Sequence, residues 1–495
     1  MAKKAKQQPR KQRLDGLQDT QKELEGAPQR QQLASHTIFT GDNLDIMRGM
    51  DDVTIDLIYL DPPFNSNKNY QAPIGSKAAG AQFKDAWTFE DTKAAWWGLI
   101  ADEHPALYKV IDAAGDIGNE GDKAYLIYMA MRLLEMHRIL KPTGAIYLHC
   151  DPTMSHSLKM MMDAIFGRKN FRNEIVWQRM RGAKGSQHAP KSWGNIADQI
   201  FYYTKTGDFT VQPYRPLAET EIENEFPFTD EKGQRYKDDS AHIFRNPSMG
   251  ERPNLCFEWR GFVNQSPAGW RLSKERLEEE YAKGNIVISN GRIERRKYFK
   301  DYAGKPVGNI WTDIEISRGK ERTGYPTQKP LALLKRIIAA SSNQGDMVLD
   351  PFCGCATACL AAEELGRKWV GIDISPLAAK LIEERMKNEL GLFAHVLHRR
   401  DTPLRRDHAR APSDNINHTL FGMQEGKCNG CGHSFPFQNF TRDHIIPRAK
   451  GGPDTDENLQ LLCGRCNSVK GDRDMPYLIA RLKEDGIIQT IPQQR

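Results

Sequence analysis

From His36 onward, short and nearly continuous apolar runs alternate with longer stretches of helical periodicity. Residues 53–61 read VTIDLIYLD, an apolar run ending in a carboxylate, as suits a strand buried on both faces of a parallel sheet. Residues 123–140, KAYLIYMAMRLLEMHRIL, carry helical periodicity until Lys141-Pro142-Thr143-Gly144 stops them ahead of a second strand, AIYLHCD (145–151). DMVLDPF (346–352) and KWVGIDI (368–374) repeat the strand signal, with the helical stretch TACLAAEELGR between them. The alternation predicts a doubly wound α/β domain over 35–395. Residues 180–310 break it, being rich in Arg, Lys, Gly, Pro and aromatics, and read as an insertion. Residues 396–420 are rich in Arg and Pro and read as an interdomain linker. A small unit follows at 421–485, and residues 1–34 read as a basic, mostly disordered arm.

Composition narrows the class. Of 495 residues, 39% are hydrophobic and 27% charged, which excludes disorder throughout. No apolar run reaches the ~18 residues of a membrane span, and MAKKAKQQPRKQR has no apolar segment behind its charges. The expectation is a cytoplasmic protein without a membrane partner. A net charge of +6 is modest, but six Lys or Arg fall in the first thirteen residues, as in an arm that touches nucleic acid or a solvated tail. Nine cysteines in a cytosolic chain argue against a disulfide framework, and four of them have metal-ligand spacing.

Asp61-Pro62-Pro63-Phe64 follows a buried strand directly, at the end where open α/β sheets place their ligands. Two prolines fix a rigid turn that offers acceptors only. The Asp61 carboxylate and the Pro62 carbonyl could draw both hydrogens of an exocyclic base amine, and Phe64 offers a stacking face worth roughly 1–3 kcal/mol. A strand-terminal Asp before a Pro-rich turn is the alternative. Asp350-Pro351-Phe352-Cys353-Gly354-Cys355-Ala356 also ends a strand, and Asp373 follows Gly354 by nineteen residues. A small-residue turn with an acid ~20 residues on suits an adenosine-containing cofactor, the acid on the ribose. Ala356 and Cys359 stand where a dinucleotide fingerprint wants its later glycines, so no pyrophosphate cradle is evident.

These residues resemble the amino-group DNA methyltransferases that use S-adenosylmethionine. The catalytic tetrapeptide precedes the cofactor turn, the motif order of the β class. Tyr325-Pro326-Thr327-Gln328-Lys329-Pro330 is similar to that family's segment lining the methionine part of the cofactor, and Gly41-Asp42-Asn43 to its adenine-side turn. The resemblance implies a Rossmann-like fold, catalysis by Asp61, Pro62, Pro63 and Phe64, and cofactor contacts from Asp42, Thr327, Lys329, Asp350, Phe352, Gly354 and Asp373. It also implies double-stranded DNA as partner, base flipping at a cost of a few kcal/mol, and N6 of adenine as the favoured target because Asp opens the tetrapeptide. N4 of cytosine and a homodimer are left open. Ala356 replaces the family's glycine, a change that a negative φ would tolerate. Arg179, Arg181, Lys184, Trp193, Arg295, Arg296 and Lys297 are recognition candidates, each with an ordinary solvated role as the alternative. His149, inside AIYLHCD, reads as a core histidine.

Cys428-x2-Cys431 and Cys463-x2-Cys466 give four thiolates, a tetrahedral zinc signal that a ~65-residue unit needs as a staple. Between and after them stand Asp443-His444, Asn458 and Asn467. This arrangement looks like an HNH nuclease with the ββα-metal fold. The resemblance implies His444 as general base, Asp443 and Asn467 as ligands of one Mg²⁺ or similar ion, and Asn458 as a brace for the loop. The leading reading is one chain that methylates and cuts DNA. A methyltransferase whose zinc module only binds DNA, and a nuclease whose Rossmann half senses the cofactor, are the alternatives.

Overall fold

The structure is a computed structural model and describes residues 33–65, 68–71, 82–182, 193–264, 267–390, 396–405 and 415–488. The N-terminal arm to residue 32 lies outside the described residues, as do Lys184 and residues 406–414. Among the described residues no helix is long and apolar enough to cross a membrane.

Nine strands form one sheet: β1 (Thr37–Thr40), β2 (Ile55–Leu60), β3 (Leu140–Cys150), β4 (Phe171–Gln178), β5 (Ala197–Thr204), β6 (Ile310–Trp311), β7 (Met347–Asp350), β8 (Lys368–Asp373) and β9 (Leu397–Arg399). Their order is β6-β4-β5-β3-β2-β7-β8-β1-β9. Only β5 runs antiparallel to its neighbours, β3 and β4. The other pairings are parallel. Strands buried on both faces explain the unbroken apolar runs: Leu57, Ile58, Leu60, Ile146 and Leu148 are all fully buried.

The described fold departs from the pattern-based expectations at three places. Lys141 to Gly144 do stop the helix Glu120–Ile139, but they lie within β3, whose pairing with β2 shifts register there. A bulge absorbs Pro142 because it needs no ladder donor. The insertion is shorter than 180–310: β5 belongs to the main sheet, and the separate compact unit spans Gln212–Gly308. The alternation apolar-in, polar-out that would mark β5 is missing because both its faces are covered. That separate unit has its own four-stranded sheet and a core around Trp259 and Trp270.

The segment expected to be a linker is largely structured. Leu397–Arg399 adds β9 to the sheet edge beside β1. Arg405 donates to Asp52, and Pro403 packs so near Gly49 that an added Cβ there would lie 2.0 Å from its carbonyl oxygen. Beyond the undescribed residues, helix α2 (Ile416–Met423) packs on helix α1 (Ala94–Glu103). A Cβ at Gly98 would lie 2.3 Å from His418 O, and one at Gly422 1.9 Å from Ala94 O. The helices therefore cross where neither carries a side chain. His418 pairs with Asp102 at 2.9 Å, and the main core continues into Leu420, Phe421 and Leu461. The zinc-spaced cysteines belong to a module that is docked rather than tethered.

Candidate active sites

Four adjacent parallel strands, β2, β7, β8 and β1, each end at an aspartate: Asp61, Asp350, Asp373 and, two residues past β1, Asp42. They line one cavity of about 730 Å³, together with Pro62, Pro63, Phe64, Thr327, Lys329, Phe352 and Gly354. Every residue singled out for the tetrapeptide and the cofactor turns is brought to this one place.

Asp61 Oδ2 accepts from Lys329 Nζ at 2.5 Å, while its Oδ1 is buried with no hydrogen-bond partner. Lys329 is itself 5.3 Å from the Phe64 ring centroid. It was expected to serve the cofactor, and in the structure its ammonium faces the tetrapeptide. Thr327, the carbonyl of which accepts from Lys329, has φ +63°, a strained value for a β-branched residue.

On the other side, Gly354 has φ +50°, and a Cβ there would meet the Tyr325 ring at 2.9 Å. Its N–H donates to Asp373 Oδ2 at 2.9 Å and Ser375 N–H to Oδ1 at 2.8 Å. Burial still raises the Asp373 carboxyl to about 6. Burial also pushes Asp350 well above the carboxylate range. Asp42 caps the helix Asn43–Arg48 and accepts from Arg132 at 2.8 Å. Arg132 also donates to Asn43, and lies 3.3 Å from the Tyr128 centroid. Ala356 has φ +52° and ψ 41°, so the condition for tolerating it fails: it sits in the left-handed region that glycine adopts freely.

Sequence reasoning missed Arg132, Tyr59 and Trp87, which also line the cavity, as does Tyr325. Arg132 had a signal, being a charged residue in an otherwise apolar helical run. Of the recognition candidates, Arg179 pairs with Asp198, Arg181 with Glu315, Arg295 and Lys297 with Asp239, and Arg296 with Glu294. Trp193 is 98% exposed.

In the C-terminal module, strands β10 (Phe440–His444) and β11 (Leu459–Cys463) form a hairpin followed by the helix Gly464–Lys470. The sulfur atoms of Cys428, Cys431, Cys463 and Cys466 lie within 4.8 Å of one another and are all buried. Four thiolates at that separation suit a closed tetrahedral zinc site. Asn458 bridges the loop as expected, accepting from Ile446 N–H and donating to Ile446 O and Pro453 O. His444 Nε2 lies 2.9 Å from Asp454 and 3.2 Å from Arg448. Asp443 Oδ2 accepts from Gln460 at 2.8 Å and pairs with Lys470 at 3.0 Å. Lys470 is fully buried and also donates to His444 O. Asn467, the other expected ligand, sits half-buried one turn before it. A lysine at Asp443 takes the charge a divalent ion would neutralise, so an ion there would have to displace the Lys470 pair.

The family model described as DNA methylase matches residues 55–384, more than half of the chain. The chain belongs to the DNA methylase family. The model described as HNH endonuclease matches residues 428–473 of the same chain. It is 35% identical over 272 residues to the type II methyltransferase M.EcaI of Enterobacter cloacae, covering 53% of this chain and 58% of that protein. The Mod subunit of the type III restriction-modification enzyme StyLTI of Salmonella typhimurium is 26% identical over 351 residues, covering 68% and 51%. The DNA adenine methyltransferase YhdJ of Escherichia coli is 26% identical over 342 residues, covering 68% and 78%. The chain thus spans a little over half the length of the first two. Among solved structures, the cytosine-N4-specific PvuII DNA methyltransferase aligns at TM-score 0.33 and 13% identity, covering 72% of this chain and 93% of that one.

Proposed function

We propose that the chain is an S-adenosylmethionine-dependent DNA methyltransferase acting on an exocyclic base amine, with N6 of adenine as the target, and that it carries an HNH endonuclease in its C-terminal module. The observation that carries the methyltransferase half is the buried, unpartnered Oδ1 of Asp61 in a cavity lined by four strand-end aspartates. An unmet buried acceptor costs roughly 1–3 kcal/mol, which a base amine would recover by donating to it. Asp at the head of the tetrapeptide and the adenine-specific name of one relative support the target.

The cavity residues fit the cofactor. Asp373 offers carboxylate lone pairs toward ribose hydroxyls, and glycine at 354 keeps the turn low. Asp42, held by Arg132, stands at the end of β1 where an adenine would lie. S-adenosylmethionine, when bound, supplies a methyl group on a sulfonium as the electrophile. The chain's residues do the rest. Asp61 Oδ1 and the Pro62 carbonyl draw the two amine hydrogens, which helps localise the nitrogen lone pair. Phe64 holds the base plane. Lys329 pairs with the other oxygen of Asp61 and so fixes the orientation of its carboxylate. Asp61 is then the acceptor for the proton that the nitrogen sheds.

One observation favours a second reading of the C-terminal module. The Asp443–Lys470 pair suits a zinc module that binds DNA without cutting it. The test is incubation of the whole chain with mixed-sequence DNA, with and without S-adenosylmethionine and Mg²⁺, read by modification sequencing and by gel. Methylation with cofactor and breakage with Mg²⁺ support the full proposal. Methylation without breakage supports the second reading, and no methylation defeats both.

A further inference from the structure

Behind Phe64 lies a line of buried polar groups that amine activation does not use. His149 is fully buried in β3, and its ring stacks on Phe64 with centroids 6.2 Å apart and planes at 24°. Trp177 meets the same imidazole edge-on at 5.7 Å. His149 Nδ1 is 3.0 Å from the Tyr59 hydroxyl, and Nε2 is 3.1 Å from Asp198 Oδ2. Asp198, only 2% exposed, pairs in turn with Arg179 at 3.1 Å.

The protons along this line can be assigned. Burial, then the charges of Asp61, Asp350 and Asp198, pushes Tyr59 well above the usual phenol range, so its O–H stays protonated and donates to Nδ1. Nε2 therefore carries the imidazole hydrogen and donates to Asp198. Burial would raise Asp198, but the hydrogen bond from His149 and the charges of Lys329 and Arg179 leave it lowered. Both ring nitrogens are committed. The imidazole cannot turn about its Cβ–Cγ bond without stranding a buried polar group. Phe64 makes no hydrogen bond of its own, so what packs behind it sets its plane. A buried imidazole carries one donor and one acceptor, and each needs a partner. This one has two, and its flat face is spent on the residue that faces the base.

We propose that His149 is a positioning residue for methyl transfer: held by Tyr59 and Asp198, it fixes the plane of Phe64 and so the plane in which the extruded base stacks. The proposal rests on the reading of Asp61 to Phe64 given above. A tilt of that plane moves the amine off its line of attack, and small misplacements cost roughly 10²-fold in rate.

The test compares the full-length wild type with His149→Phe, which keeps a flat ring but loses both hydrogen bonds, and with Tyr59→Phe, which loses one. Three quantities are read: kcat and KM for methyl transfer, calorimetric affinity for S-adenosylhomocysteine, and the emission of 2-aminopurine placed at the modified position. The expected result is a kcat loss of roughly ten- to hundred-fold in His149→Phe and a smaller loss in Tyr59→Phe. KM for DNA and nucleoside affinity should stay within about two-fold, and 2-aminopurine emission should rise as the stack loosens. Unchanged kcat in folded variants would overturn the proposal. So would a kcat loss matched by an equal loss of nucleoside binding, which marks general damage. If His149→Phe does not fold, Tyr59→Phe decides alone. Absence of methyl transfer in the wild type would instead defeat the reading of the site itself, and the positioning role with it.

Discussion

Asp61 and Asp443 both stand at strand ends, and both face a lysine. Lys329 takes one oxygen of Asp61, and the other is buried without a partner at the wall of a cavity. Lys470 and Gln460 take Asp443, and Lys470 also ties down the next carbonyl. A buried acceptor left unmet is costly, and folds keep one chiefly where function needs it. A buried carboxylate paired with a buried lysine is neutralised within the fold, and removing either partner strands the other. The same residue type is thus poised for a donor in one region and consumed by the fold in the other. Sequence motifs alone do not separate these cases.

The comparison can be broken most forcefully at Lys470. Lys470→Met should strand Asp443 and cost about 3–5 kcal/mol of module stability, seen as a lowered zinc-module melting transition in calorimetry. Lys470→Met combined with Asp443→Asn should recover much of that loss. A single variant as stable as wild type would mean that Asp443 is free to serve a metal.

Whether the two regions are mechanically joined is tested at the helix crossing. Gly422→Leu forces a side chain into Ala94 O, where even a Cβ would lie at 1.9 Å. Overpacking of this kind costs about 1–3 kcal/mol. Limited proteolysis should then release the module beyond residue 415, with methyl transfer retained. Unchanged protease resistance would argue against a tight crossing.

A third carboxylate sharpens the contrast, because Asp373 faces no lysine. Its value is raised to about 6 by burial, so the ionised form is the disfavoured one in the folded state. The stability it contributes is fully present below about pH 4 and is lost as pH rises through about 6. Asp373→Asn should flatten the pH–stability curve of the unliganded protein between those values, by roughly 2–3 kcal/mol. A curve that is unchanged would show that the carboxyl is better solvated than its burial implies.

The smallest effect concerns Ala356. Removing its Cβ in Ala356→Gly relieves a left-handed penalty of about 1–2 kcal/mol, partly offset by about 0.4–1 kcal/mol of unfolded-state entropy. A rise in Tm of a few degrees or less is expected, and a fall would mean that the methyl packs usefully.

Much of this was legible in residue order. Strand-end aspartates at 61, 350 and 373 were readable because buried parallel strands leave unbroken apolar runs that stop at polar turns. The four cysteines were readable from spacing, and Asn458 was singled out only through the HNH resemblance. Other features depend on tertiary contact and leave no periodic trace. Leu397–Arg399 is too short and basic to read as a strand, yet an open edge beside β1 recruits it. The role of Lys329 toward Asp61 spans 268 positions in the chain. Lys470 carries no signal of its own in the sequence, and only the packing of its helix on the hairpin brings Asp443 to it. His149 looked like core, and it is buried, but no local pattern announces the ring stacked against it.

The central claim is that the unpaired oxygen of Asp61 activates a base amine while Asp443 plays no part in that step. The direct measurement is mass spectrometry of nucleosides from DNA incubated with S-adenosylmethionine and the wild type, Asp61→Asn or Asp443→Asn. The account predicts N6-methyladenine from the wild type and from Asp443→Asn, and a reduction of roughly 10²–10³-fold or more in Asp61→Asn with S-adenosylhomocysteine binding retained. Undiminished methylation by Asp61→Asn, or equal loss in Asp443→Asn, would contradict it.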